Sequence, residues 1–401
     1  MAWLGTYAKR IKVTASNTNV DSDLTHFPLL LTLGTSVGTG STDVSAVFDE
    51  LTSNDNRKKI AVTKTDGTTE LYVEIEKWDD ANEKAVLWVS KSDLVLSSSG
   101  TTDLYLYYDS SHADNDTYVG DTNDVVAESV WDSNFKTVFH MADGASTSST
   151  YDSTSNDNDG TKTAANEPIV TSSGEIGNAQ DFDGTDDYME VTYSSELDFS
   201  GAGKSLTLEA IISTDKLNSD GGIIGMWDVP SAQQNQQYIL KFESDNNQIK
   251  GAIQNNDLSF SVASSATGSV SQSTLVYVVM QASGGTITMY INGVTSGGTD
   301  TYDTLRAPDT NQNIGIGVDN RVLAAERFEG IIDEVRISSI ARPVAWLKAN
   351  NSNLFDDIVS WGSEEEAPTT NIKSVNGLLK ASIKSINGLA IGSIKNINGL
   401  E

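Results

Sequence analysis

The stretch "GIIDEVRISSIARPVAWLKA" (Gly330–Ala349) sets a strand beside a helix. Ile332, Glu334, Arg336 and Ser338 alternate with Asp333, Val335 and Ile337, the period of two that marks a half-buried strand. On that alternation Asp333 and Glu334 point to opposite faces and cannot act as a pair. Pro343 then suits the first turn of a helix on which Val344 and Leu347 share a face. Upstream, further strands are expected at Ser205–Ser213, Tyr238–Ser244, Leu275–Ser283 and Thr286–Val294, the last broken by the hairpin signal Asn292-Gly293. Eight or more strands over ~200 residues fit one jelly-roll sandwich, placed at residues 130–361.

The first block, residues 1–117, repeats the pattern. "KRIKVTAS", "TELYVEIEKW" and "TDLYLYYD" each alternate, with turns at Asp66-Gly67 and Ser99-Gly100, so a small N-terminal β-sandwich is expected. Residues 118–129 read as a polar linker and 362–370, "GSEEEAPTT", as an acidic one. The fold class is therefore all-β: two β-sandwich domains and a C-terminal tail of β-hairpin repeats at 371–401.

Charge narrows the function. The chain carries a net charge of -30, yet residues 371–401 hold four lysines and one glutamate, leaving -33 on the rest. So acidic a body repels nucleic acid and anionic membranes. No apolar run approaches the roughly 18–20 residues of a membrane span. The absence of cysteine constrains the compartment only weakly. "MAWLGTYAKRIKV" lacks an apolar h-region, so no secretory signal peptide is expected.

An ordered series of pieces resembles the LamG-type, concanavalin A-like lectin/glucanase superfamily: "VFHMADG" (Val138–Gly144), "DSTSNDNDGT" (Asp152–Thr161), "GEIGNAQDFDGTDDYMEV" (Gly174–Val191), "SLTLEAII", "MYINGV" (Met289–Val294) and Gly330–Ala349. The first block, through "RIKVTASNTNVDSDLTHFPLLLTL" (Arg10–Leu33) and "YVEIEKWDDANEKAVLWV" (Tyr72–Val89), resembles the small β-domain of unknown function that often precedes such LamG domains in bacterial and phage surface proteins. The resemblance implies two antiparallel sheets packed face to face, and members that mostly bind carbohydrate or protein. It also implies a structural calcium, the one ion suggested, held by Asp143, Asp333 and backbone near Asp183.

Catalysis finds little support. The related glucanases carry their acids in a Glu-x-Asp-x-(x)-Glu run that is missing here. Glu74 and Glu76 lie two apart on one strand face, a spacing that could serve glycoside hydrolysis, but they fall in the other domain and read as solvent-facing acids on an edge strand. His26, His112 and His140 show no metal or catalytic spacing, and His140 reads as a packed core histidine. "STSNDNDGT" fails as an EF-hand, because Ser155 and Asn166 fall where carboxylates are needed. Ligand binding falls instead to predicted loops carrying Trp227 and Asp228 and Asn255, Asn256 and Asp257, an aromatic ring with amide and carboxylate partners for sugar hydroxyls.

The tail repeats Ile-Lys-x-(Val/Ile)-Asn-Gly-Leu at a spacing of eleven, from Ile372, Ile383 and Ile394. Each unit reads strand, Asn-Gly turn, strand: Asn376-Gly377 before Leu378, Asn387-Gly388 before Leu389, Asn398-Gly399 before Leu400. A lone hairpin is not stable, so the array is expected to anchor or oligomerise the chain, most simply as a trimer. It resembles tails of phage structural proteins. The expectation is a non-enzymatic virion surface component, docked to other virion proteins, whose lectin-like domain grips a host-surface glycan or protein. The alternatives are a bacterial cell-surface or extracellular adhesin and a glycanase with an unrecognised acid pair.

Overall fold

The structure, a computed structural model, describes residues 2–143, 149–163, 166–228, 235–307, 312–320 and 325–368, and the backbone of four two-residue strands between 374 and 390. Its strands form three large sheets. The first runs Val359–Glu366, Lys9–Ala15, Thr102–Tyr108, Ile60–Lys64, Glu70–Asp79, Lys84–Ser90 and Leu29–Leu33, antiparallel throughout, with Val119–Asp121 added in parallel beside Glu70–Asp79. Apolar residues from both ends of this path, such as Val13, Leu106, Leu87 and Leu31, share one core, so the sheet closes over itself.

The jelly roll is built from the other two sheets. A nine-stranded sheet centres on Glu329–Ser338, flanked by Ala179–Asp183 and Phe135–Phe139 on one side and Leu206–Thr214 on the other, followed by Val276–Ser283 and Thr286–Ile291. It faces an eight-stranded sheet that contains Met189–Val191, Ile314–Ile316, Gly221–Asp228, Asn235–Glu243, Gln248–Gln254 and Phe260–Ser264. Leu208, Ile212, Ile224, Leu240, Val335 and Ile337 fill the space between them. Asn292 and Gly293 both take positive φ, 50° and 73°, and Ile291 pairs with Val294, so the expected hairpin is a type I′ turn. The helix falls at Val344–Leu354 with Pro343 at its start.

Two expected linkers are partly strand. Within 118–129, Val119 and Ala127 are buried, and Val119–Asp121 pairs with the long strand of the first sheet. Within 362–370, Glu364, Glu365 and Glu366 lie opposite Ile11, Arg10 and Lys9 as the second half of Val359–Glu366. Cross-strand charge decides this. Arg10 donates from Nε to Glu365 at 2.7 Å while its guanidinium lies over the Tyr105 ring at 3.9 Å. A run of acids that reads as a solvated spacer therefore completes the N-terminal sheet.

The two units also share a core. Ile211, Tyr277, Val279, Trp346 and Leu347 belong to the same apolar cluster as the first sheet, so the outer face of the nine-stranded sheet is covered by the N-terminal unit and the helix. In the tail, Ser374–Val375 pairs with Leu378–Leu379 and Ser385–Ile386 with Leu389–Ala390, each as its own two-stranded sheet. Ile372, Asn376, Gly377, Ile383, Asn387, Gly388, Ile394, Asn398, Gly399 and Leu400 lie outside the described residues.

A chain ended at Asp357 loses the strand Val359–Glu366 and bares the edge of Lys9–Ala15. We expect its denaturant unfolding to lose the single sharp transition that a chain ended at Pro368 retains.

Candidate functional site

Trp227 closes the strand Gly221–Asp228 rather than standing on a loop, because Trp227 and Asp228 pair with Gln236 and Asn235 across a small bulge. The indole is half-buried and meets the Phe260 ring at 5.4 Å between centroids. Phe260 begins the edge strand Phe260–Ser264, on which Phe260 and Val262 each stay about 40% exposed while Ser261 and Ala263 turn inward. Leu258, also exposed, precedes them with φ at 71°. Phe260 on the edge strand thus pairs with Trp227 at the end of an inner strand, beside an exposed apolar stripe. Sequence reasoning reached Trp227 but missed Phe260, whose strand alternates too briefly to stand out.

The polar residues expected beside it divide. Asn255, Asn256 and Asp257 form the turn between Gln248–Gln254 and the edge strand. Asn255 is buried: its amide donates to Ser259 Oγ and Ser261 Oγ, each at 3.0 Å, and its Oδ1 accepts from Asp303 N. Asp257 accepts from Ser259 N and Oγ. These two hold the turn. Asn256 is exposed, and the Asp228 side chain lies outside the described residues.

The expected calcium ligands do not converge. Asp333 faces outward and its Oδ2 accepts from Glu175 N and Ile176 N at 2.9 and 3.0 Å. Asp143 lies beside Thr150, Tyr151 and Lys162, its carboxyl raised chiefly by burial. Asp183 instead joins Asp186 and Asp187, where its Oδ1 accepts from Thr185 N and Asp186 N.

A third constellation lies where the two units meet. In the central strand Glu329–Ser338, Glu209 opposes Arg336 and Ile211 opposes Asp333, so Glu334 occupies a bulge with φ at 50°. Ile332 and Val335 keep to the inner core, and the extra residue turns both Asp333 and Glu334 outward, correcting the alternation read from sequence. His140 Nδ1 lies 2.7 Å from Glu334 Oε1 and 3.4 Å from Glu76 Oε2, and its Nε2 lies 3.3 Å from Glu74 Oε1. Glu74 and Glu76, expected in solvent, have side chains 0% and 1% exposed. Trp131 and Trp88 donate their indole N–H to Glu74 and Glu76 at 2.6 and 2.8 Å, and Arg336 donates to Glu334 Oε2 at 2.5 Å. Burial pulls the His140 imidazolium down, but Glu334, Glu76 and Glu74 together hold it well above its ordinary value. Burial pushes Glu76 up to about 8.

With the geometry in place, comparison with known proteins is informative. Residues 183–348 match the family described as the concanavalin A-like lectin/glucanases superfamily, of laminin G type. This stretch is similar to the lectin-type domains of that family. No curated protein matches the chain. Among solved structures, the binding domain of Paraclostridial Mosquitocidal Protein 1 is 13% identical, with 55% of this chain covering 52% of that one at a TM-score of 0.42. The ligand-binding domain of botulinum neurotoxin serotype D, solved with N-acetylneuraminic acid, gives 13%, 56%, 54% and 0.42. Domain 4 of an extracellular arabinanase from Geobacillus stearothermophilus, solved with arabinotriose, gives 16%, 54%, 97% and 0.37. The chain spans about half the length of the first two.

Asn255→Ala strips Ser259, Ser261 and the Asp303 amide of a partner, and a cost of about 1–3 kcal/mol is expected. Chemical denaturation measures it.

Proposed function

We propose that this chain is a non-enzymatic surface protein whose lectin-type domain grips a glycan on the edge marked by Trp227 and Phe260. The observation that carries the reading is that half-exposed aromatic pair, set on a sheet edge of a domain matched to a lectin family. A sugar ring presents a flat C–H face that an aromatic ring covers, and the exposed Asn256 on the adjoining turn supplies a donor and an acceptor for hydroxyls. The burial of Glu74, Glu76 and Glu334 supports a role without catalysis, since a polysaccharide cannot reach them.

In this reading the protein is a virion component, made in the host cytoplasm and displayed on a phage surface. Its repeats dock it to other virion proteins or join three copies. The support is the strict repeat of apolar positions in 371–401 and their positive charge against a body of -33, which suits an acidic docking partner.

Glycan-array binding by the full chain tests the first part. Trp227→Ala and Phe260→Ala are each expected to weaken binding by about tenfold, with unchanged thermal unfolding and no release of reducing sugar from any bound polysaccharide. Undiminished binding by both variants overturns the assignment. Deleting residues 371–401 is expected to abolish the oligomer seen by light scattering and incorporation into particles while leaving glycan contacts intact.

A further inference from the structure

We propose that Glu76, His140 and Glu334 form a buried site for one divalent transition-metal ion, of which zinc is the type, clamping the N-terminal sheet to the lectin-type domain. The three come from different places: Glu76 from the long strand of the first sheet, His140 from the residue after Phe135–Phe139, and Glu334 from the bulge of the central strand. Their ligating atoms all lie within 4.8 Å of one another, and none of the three side chains is more than 3% exposed. In tetrahedral coordination at zinc's usual bond lengths, ligand atoms stand about 3–3.5 Å apart. The 3.4 Å between His140 Nδ1 and Glu76 Oε2 already has that spacing, and the 2.7 Å to Glu334 Oε1 needs only a small opening.

Two further observations point to a cation. First, Glu76 Oε1 is buried with no hydrogen-bond partner. A side chain at Gly177, which has φ at 56°, would collide with Glu76 Oε1, so the glycine makes room for the carboxylate itself. Second, the imidazole is oriented as a ligand is. Glu74 stands against Nε2 while Trp131, Thr122 and Ser153 donate to its carboxylate, leaving Nδ1 to face Glu76 and Glu334. A carboxylate behind a histidine fixes the ring and raises its basicity toward a metal.

Charge gives the same answer. Glu74, Glu76, Glu334 and Asp333 are buried together, and among the described residues Arg336 and His140 are the cations that face them. A divalent ion held by these side chains offsets two of the four negative charges. An imidazole in the set selects zinc and its neighbours over calcium, which takes six to eight oxygens.

The test uses the full chain, unfolded in denaturant with EDTA and refolded with zinc chloride, calcium chloride or neither. The zinc sample is expected to keep one metal ion per chain after gel filtration and to melt several degrees higher than the other two. Glu76→Gln and Glu334→Gln, folded by far-ultraviolet circular dichroism, are expected to keep none. If a variant does not fold, the wild-type chain refolded with cobalt decides: visible absorption bands of nitrogen–oxygen coordination, with quenching of the indoles of Trp88 and Trp131, uphold the site. Zinc that is not retained, zinc retained equally by folded variants, or cobalt without bands overturns it.

Discussion

Burial of the outer face of the nine-stranded sheet is the constraint on which the rest depends. A lectin-type sandwich ordinarily has one core, between its sheets. Here Leu206–Thr214 is buried at every position, with Leu208 and Ile212 turned to the inner core and Ile211 to the outer one. The outer face also carries Glu209, Arg336, Glu334 and Asp333, all sealed from water. Charges so placed stay favourable only while hydrogen-bonded and paired. That requirement explains why the indoles of Trp88 and Trp131, the Tyr277 hydroxyl and Asn350 all converge there.

The same constraint decides what could be read from the sequence. Strands with one wet face announce themselves, so the all-β class, the jelly roll, the Asn292-Gly293 hairpin and the helix after Pro343 were legible. Strands with two dry faces do not. Glu74 and Glu76 carry the residue type of a solvated surface, and nothing within several residues of them says that His140 and Glu334 wait opposite. The bulge at Glu334 has no glycine to mark it. The acids of 364–366 looked like a spacer because their partners, Lys9 and Arg10, lie at the other end of the chain. Among candidate site residues, Trp227 was legible as an aromatic in polar surroundings. Asn255 and Asp257 lie on the expected turn, where their side chains bond within the turn itself; a turn's own hydrogen bonds and a ligand's draw on the same residue types.

The two candidate sites differ in kind. At the first, Phe260 is exposed and Trp227 half-buried. The His140 cluster is closed, and whatever it holds enters as the chain folds. One lies at the far side of the jelly roll's eight-stranded sheet; the other lies between the jelly roll and the N-terminal sheet.

The pairing of Val359–Glu366 with Lys9–Ala15 has a mechanical consequence. If the repeats are the point of attachment and the lectin-type domain the point of grip, tension enters through residue 366 along the axis of that strand. An antiparallel ladder pulled lengthwise resists in shear, with its hydrogen bonds strained together rather than opened one after another. Load from the tether is therefore shared across the first sheet, and the fold is suited to hold under a steady pull.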